Sequence, residues 1–337
     1  MKKWICAVLA VALLLLSGCA ELKMSQYDRA QELYQAGDYT AAARVFALLG
    51  DYKNSKQMVQ VSRYAAADKL FADGDYSAAV GAFSALGNYE DSLLRITECH
   101  YAIADDLVHA GDLAAAANAF EALGVYKDSA DRVLACRYAL AQAMLDEKQY
   151  LAAAEAFAAL GDYANARDFS ADARWMALQE FASRQDQTVT VGDVLVHLSP
   201  VENDARAVSI WAEKTLDLGF YTVTERCSLV IRRGQEQASY LLCGDTKTQS
   251  DGMTGYSRYT AAGTVTLGEL TEDTLLPITD FAYYGQDVYG NVTQRTKSTI
   301  SELTEAQKLL KPILEAAPAL LEQTGYTPED FGLTGLQ

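Results

Sequence analysis

Six cysteines, three histidines and a scatter of carboxylates are the side chains in this 337-residue sequence with chemistry to offer. A structural or catalytic zinc needs Cys or His in closely spaced pairs. His100, His109 and His197 form no ligand cluster with Cys99 and Cys136, and there is no CxxC, so no metal site and no cofactor are predicted. Cys227 and Cys243 are symmetric about Gln235. If a hairpin turns there they face each other across two strands, which in an oxidising compartment allows a disulfide as well as two buried thiols. A Gly-x-Ser-x-Gly elbow, HExxH, a phosphate loop and GxGxxG are all missing. The acidic pairs Glu272-Asp273 and Glu329-Asp330 fall near turns or helix starts, where capping and solvation account for them. No catalytic residue is predicted, and the chain reads as a binding protein rather than an enzyme.

Cys19 stands apart from the other thiols. Lys2 and Lys3 open the chain, Ile5–Leu16 is an apolar run of signal-peptide length, and Ser17-Gly18 closes it with small residues. The run is short for a transmembrane helix, which needs about 20 residues. The string Leu16-Ser17-Gly18-Cys19 resembles the lipobox of bacterial lipoproteins. That resemblance implies cleavage of residues 1–18 and a diacylglyceryl group on the Cys19 sulfur. Two acyl chains anchor a protein stably where one binds marginally. The expected location is the extracytoplasmic face of a membrane, with the outer membrane as the site if the host has two. Ala20 rather than Asp follows the cysteine, so no inner-membrane retention signal is evident.

Charge narrows the partners further. Lys plus Arg number 28 against 45 Asp plus Glu, a formal net charge of -17. The excess is spread over both halves and no basic stripe is present, which argues against nucleic acid, since phosphate contacts need clustered cations.

From Tyr27 the sequence repeats every 37 residues, with Tyr64, Tyr101 and Tyr138 opening the later units and Trp175 where a fifth would begin. A fixed period of this length marks a solenoid of stacked units. In the second unit Tyr64, Ala67, Leu70 and Phe71 lie at helical spacing, Gly74 is placed to end that helix with positive φ, and Asp75-Tyr76 turns the chain. Ala79, Phe83 and Leu86 form the stripe of a shorter helix, and Asp91-Ser92 supplies the N-cap of the next long one, which runs through Tyr101. Each period is thus one helix of roughly 18 residues and one of about 11.

The recurring Ala30, Leu33, Gly37-Asp38-Tyr39, Ala42 and Phe46, with Ala67, Leu70, Gly74-Asp75-Tyr76, Ala79 and Phe83 after them, resemble the tetratricopeptide repeat. The third unit gives Ala104, Leu107, Gly111-Asp112-Leu113, Ala116 and Phe120, and the fourth Ala141, Met144, Ala153 and Phe157 with Lys148-Gln149-Tyr150 at the turn. The period is 37 rather than the family's 34, and the inter-unit turn carries Leu49–Ser55 in place of proline. The resemblance implies a binding groove lined by the first helix of each pair, here Gln31, Asp68, Asp105 and Gln142, then Gln35, Ala72, His109 and Asp146. These positions are acidic or neutral, which suits a neutral or basic protein segment by charge complementarity. The repeated tyrosines read as inter-repeat packing rather than a ligand platform. Cys99 and Cys136, one period apart, are separated by a helix-packing distance of roughly 8–10 Å, too far for a disulfide, and read as core residues.

After Ala182–Gln187 the alanine-rich pattern gives way to Val, Thr, Tyr and Gly. Strands are predicted over Thr188–Leu198, Ser228–Arg232, Ala238–Lys247, Ser257–Leu267 and Ile278–Gln286, with turns at Gly234, Asp251-Gly252 and Gly290-Asn291. Helices are predicted over Asp204–Leu218 and from Thr304, where Thr304-Glu305-Ala306-Gln307 has capping-box form, with a bend near Pro312 and an end by Gly325. Thr327-Pro328-Glu329-Asp330 caps a closing turn.

The expected architecture is an α-helical repeat solenoid followed by an α+β domain with an antiparallel sheet. Residues 1–18 form the signal peptide, 19–26 a short tether, and 27–183 the repeats (27–63, 64–100, 101–137, 138–174 and a capping helix to 183), before a domain over 184–337. The expected function is a lipid-anchored scaffold or adaptor that holds another protein through its repeats. The tether of about seven residues favours a membrane-associated partner. The alternative is a small-molecule or cell-wall glycan site in the last domain, with the repeats as a spacer. An envelope enzyme ranks third.

Overall fold

The computed structural model describes residues 21–184, 187–299 and 302–333. The signal peptide expected over residues 1–18 and Cys19 lie outside them. Among the described residues no helix is long and apolar enough to cross a membrane.

Helices come in alternating lengths, as the period requires. After α1 (21–35) the order is α2 (Tyr39–Leu49), α3 (Ser55–Ala72), α4 (Tyr76–Ser84), α5 (Ser92–His109), α6 (Leu113–Leu123), α7 (Ser129–Asp146), α8 (Tyr150–Ala158) and α9 (Ala166–Ala182). The long members α3, α5 and α7 have 18 residues each, and the short ones 9 or 11. Long helices stop where Gly37, Gly74 and Gly111 turn left-handed, with φ of 79°, 83° and 80°. One residue later Asp38, Asp75 and Asp112 each accept a bond from the backbone N–H three positions on, at 3.1 Å, which starts the short helix.

Packing follows the same beat. Phe46, Phe83, Phe120 and Phe157 are fully buried, as are Ala30, Ala67, Ala104 and Ala141 on the long helices and Ala42, Ala79, Ala116 and Ala153 on the short ones. Alanine at both contact positions lets the paired helices approach closely while the phenylalanine fills the space beside them.

The chain divides into two compact units, the first ending at Leu140 and the second beginning at Ala141. The second therefore includes α8 and α9 together with the sheet. That sheet is an eight-stranded antiparallel meander in sequence order: β1 (Thr188–Val191), β2 (Val194–Val201), β3 (Asp204–Asp217), β4 (Tyr221–Arg232), β5 (Gln237–Ser250), β6 (Met253–Thr266), β7 (Asp280–Gln286) and β8 (Val292–Thr293). Two helices, α10 (Glu302–Lys308) and α11 (Leu310–Glu322), follow it. One sheet face is buried in a core that also takes Trp175, Leu178, Phe181 and Ala182 from α9 and Leu310, Ile313, Leu314 and Leu320 from α11. A cut between residues 183 and 184 would separate those four α9 side chains from the core they fill.

Three sequence-based expectations change here. The helix expected over Asp204–Leu218 is strand β3. Its Ala, Glu and Lys content favours helix, but Val208, Ile210 and Ala212 alternate with Ser209, Trp211 and Glu213, and that period of two sends one set to the core. The single strand expected over Thr188–Leu198 is a hairpin, turned tightly by Gly192-Asp193 with Gly192 at φ 61° and Val191 opposite Val194. The C-terminal helix is already formed at Glu302, so Thr304 lies inside it, and the break comes at Leu309. Pro312 sits in the first turn of α11, where its missing N–H costs nothing. The closing turn is as expected, a short 3-10 helix over Pro328–Phe331 with Thr327 and Asp330 in a capping box.

The fourth repeat keeps the backbone of the others without their residues. Lys148 adopts φ 61° where glycine stands elsewhere, and Gln149 caps α8 with no side-chain bond. Gln149→Asp should restore the bond made by Asp38, Asp75 and Asp112 and stabilise the protein by about 1 kcal/mol. Denaturant titration of the two forms measures it.

Candidate functional site

The repeat tyrosines are structural members. Tyr27, Tyr64 and Tyr101 each meet the buried phenylalanine of their own unit edge-on, at 5.5, 5.5 and 5.4 Å between centroids, and a second tyrosine in the following turn at 6.0, 6.0 and 5.9 Å. Each hydroxyl then donates to a side chain 27 residues on: Asn54 at 2.5 Å, Asp91, and Asp128 at 2.5 Å. Asp91 thus holds the N-cap position of α5 without a side-chain capping bond, its carboxylate accepting from Tyr64 instead. Burial first, then that bond, raises the Tyr64 phenol well above its ordinary value.

The expected groove residues divide into two sets. Asp68 and Asp105 are half-buried and paired, Asp68 with Arg95 at 2.5 Å and Asp105 with Arg132. Arg95 also lies 4.3 Å over the Phe71 ring and bonds Glu98. These two carboxylates hold one repeat to the next instead of waiting for a ligand. In the outer repeats the same two positions are Gln31 with Met58, and Gln142 with Phe169, so the acid occurs only where the arginine does. Gln31, Gln35, Ala72, His109, Gln142 and Asp146 remain exposed. Two open hollows of about 690 and 660 Å³ flank Asp68, one walled by Tyr64 and Tyr89 and the other by Phe71 and Arg95.

Cys227 and Cys243 do not face one another. The β4–β5 register sets Cys227 opposite Leu242 and Cys243 opposite Arg226, because the hairpin axis falls between Gly234 and Gln235 rather than on Gln235. A shift of one residue in a strand exchanges faces. Cys227 is therefore fully buried in the core, Cys243 is on the other face, and both are free thiols. Burial pushes the Cys227 thiol up to about 12 and also raises Cys243, Cys99 and Cys136. All four are protonated at neutral pH and poor nucleophiles.

The open face of the sheet is tied by cross-strand pairs. His197 stacks on Trp211 at 3.9 Å and 11°, and Arg226 reaches the same indole from the strand on the other side, 5.0 Å from its centroid, while pairing with Glu213. Trp211 Nε1 donates to Ser199 Oγ at 3.0 Å. Neighbours on both sides leave this indole poorly placed to stack on a sugar. Farther along, Asp245 accepts two bonds from Arg258 and one from Tyr256 at 2.7 Å.

An aromatic-lined cavity lies at one end of the second unit. The β4–β5 turn (Arg233 to Glu236), the end of β6 (Thr266 to Gly268), Trp175 of α9 and the closing segment (Tyr326 to Gly332) surround a cavity of about 500 Å³. Trp175 meets Tyr326 edge-on at 6.5 Å and Tyr326 meets Phe331 at 5.0 Å, which makes three aromatic walls. Trp175 is fixed by its indole N–H, which donates to the Ala205 carbonyl at 2.8 Å, and Gln179 holds Ala207 in the same way at 2.9 Å. Volume and lining are those of small-molecule sites. Local sequence signals do not reveal this site, because its walls come from segments up to 157 positions apart. The available hint was Trp175, a tryptophan where each earlier unit has tyrosine.

No protein-family model matches the chain, and no curated protein sequence matches it.

A double-mutant cycle of Asp68→Ala and Arg95→Ala should give a coupling of about 1 kcal/mol in unfolding free energy, at the upper end for a part-exposed pair. A second measurement concerns His197, whose pKa is lowered by burial and by Arg226 against the opposing pull of Glu213. With a folded pKa below the unfolded one, stability is complete above about pH 6.5 and falls as pH drops toward the folded value. Between about pH 6.5 and 5 the loss should be smaller in His197→Phe, which keeps the stack on Trp211 but cannot titrate.

Proposed function

We propose that this protein is a ligand-binding protein of the cell envelope, held at the outer face of a membrane by lipid on Cys19, in which tetratricopeptide-like repeats form a scaffold and the second unit carries the ligand. The supporting observation is the aromatic cavity around Trp175, Tyr326 and Phe331. The repeat face contributes less than its sequence suggests, because Asp68 and Asp105 are engaged within the protein.

Capture of a second protein by the repeats is the other reading. It is favoured by the exposed Gln31, Gln35, His109 and Asp146 and by the hollows beside Asp68. The surface these residues offer is neutral to weakly acidic, so a neutral or basic segment of a membrane-associated protein fits it. An envelope enzyme is the third reading, and the four described thiols do not favour it as nucleophiles, because burial raises the pKa of each.

Gly268 lines the cavity, has no neighbour within 4 Å of an added Cβ, and has no left-handed backbone to strain. Gly268→Leu should therefore fill the cavity without disturbing the fold. In a small-molecule screen read by thermal shift, compounds that raise the Tm of the native protein should lose that effect on Gly268→Leu. Cys19→Ser should keep the ligand response while moving the protein out of the membrane fraction. Unchanged shifts in Gly268→Leu would refute the cavity as the site.

A further inference from the structure

Charge around the cavity is unevenly satisfied. Arg232 is engaged by Asp204 at 3.0 Å, Arg233 by Asp172 at 2.6 Å, and Arg174, just behind Tyr326, by Asp330 at 3.0 Å. Each guanidinium at the site thus already has its own carboxylate. Glu236 is different: its backbone carbonyl accepts from Leu267 N–H, but its carboxylate has no partner among the described residues. The Tyr326 hydroxyl likewise has none, and burial raises its pKa, so it stands as a neutral O–H at the cavity wall. The surplus at this site is therefore one negative charge beside three aromatic rings, in a protein whose net charge is -17.

From this arrangement we infer that the cavity takes an amphipathic organic cation, a primary amine or quaternary ammonium on an apolar or aromatic body. The inference rests on the cavity being the ligand site. The body lies among Trp175, Tyr326 and Phe331, and the cationic head lies toward Glu236. Aromatic faces attract ammonium groups through the ring quadrupole, and do so more strongly out of water. Tyr326 already carries Arg174, 4.4 Å from its ring centroid, and packs against Phe331, so the ligand meets the exposed parts of the three rings rather than a free Tyr326 face. An anion would meet Arg232 and Arg233 only through N–H groups on guanidiniums whose charge Asp204 and Asp172 already balance, and would sit beside Glu236. A neutral ligand gains the apolar contacts only.

Three probes of matched shape test the charge: benzyltrimethylammonium, phenylacetate and benzyl alcohol, titrated calorimetrically into the full-length protein. The cation should bind at least tenfold more tightly than either of the others. Glu236→Gln, a change at an exposed turn residue, should weaken the cation about threefold and leave benzyl alcohol unchanged, the size expected for one solvated charge contact. Tightest binding by phenylacetate, or a Glu236→Gln protein that holds the cation as well as before, would overturn the cation while leaving the cavity as a site. If no probe distinguishes the native protein from Gly268→Leu, the cavity itself is not the site and the inference falls with it.

Discussion

In three successive repeats the opening tyrosine packs its ring on the buried phenylalanine and gives its hydroxyl to a side chain in the next turn, a contact that ties each long helix to the one after it. The ring of Tyr64 is half-buried against Phe83, and its hydroxyl lies near the surface, where a charged acceptor makes a stronger bond than water does. Asp91 is that acceptor, and Asn54 and Asp128 accept from Tyr27 and Tyr101. Accommodating these contacts accounts for the length of the turn. The turn must carry a tyrosine to meet the ring and a polar residue for the hydroxyl, and must reverse through a left-handed residue: Lys53, Glu90, Lys127 and Ala164 at φ of 47° to 49°. A 37-residue period leaves room for all three.

A second set of bonds runs along the long helices. Arg95 and Arg132 lie over Phe71 and Phe120, in the ring stack, and reach back to Asp68 and Asp105. The surface left for recognition on these helices is therefore less acidic than a residue count suggests. Specificity within the repeats must come from positions that take no part in stacking. In the second unit Glu236 is left at the cavity rim without a partner among the described residues, while the open sheet face ties up Trp211, Glu213, Arg226 and Asp245 in pairs of its own.

The parts legible in the sequence are those with local causes. Gly37, Gly74 and Gly111 end helices, Asp38, Asp75 and Asp112 begin them, and Thr327 to Asp330 closes the last turn, each within a few residues of its signal. Readings that depended on a distant partner fared worse. Asp91 reads locally as a cap, and its partner Tyr64 is 27 residues away. Asp68 reads as a free acid until Arg95 is brought beside it. Strand β3 has the composition of a helix and the alternation of a strand, and the core decides for alternation. The Cys227–Cys243 geometry turned on the position of a hairpin axis between Gly234 and Gln235, a detail smaller than sequence reading can place. The cavity joins residues from Trp175 to Gly332, so nothing local announces it.

Helix α9 has the place of a fifth repeat's first helix but fills the sheet's core with Trp175, Leu178 and Phe181. All of that specialisation is confined to one helix. Whole 37-residue units upstream of it can thus be gained or lost by recombination without altering a single side chain in the sheet's core. The number of repeats and the cavity at Trp175 are thus separable properties, since no residue of the first three units lines that cavity or fills the core beneath the sheet.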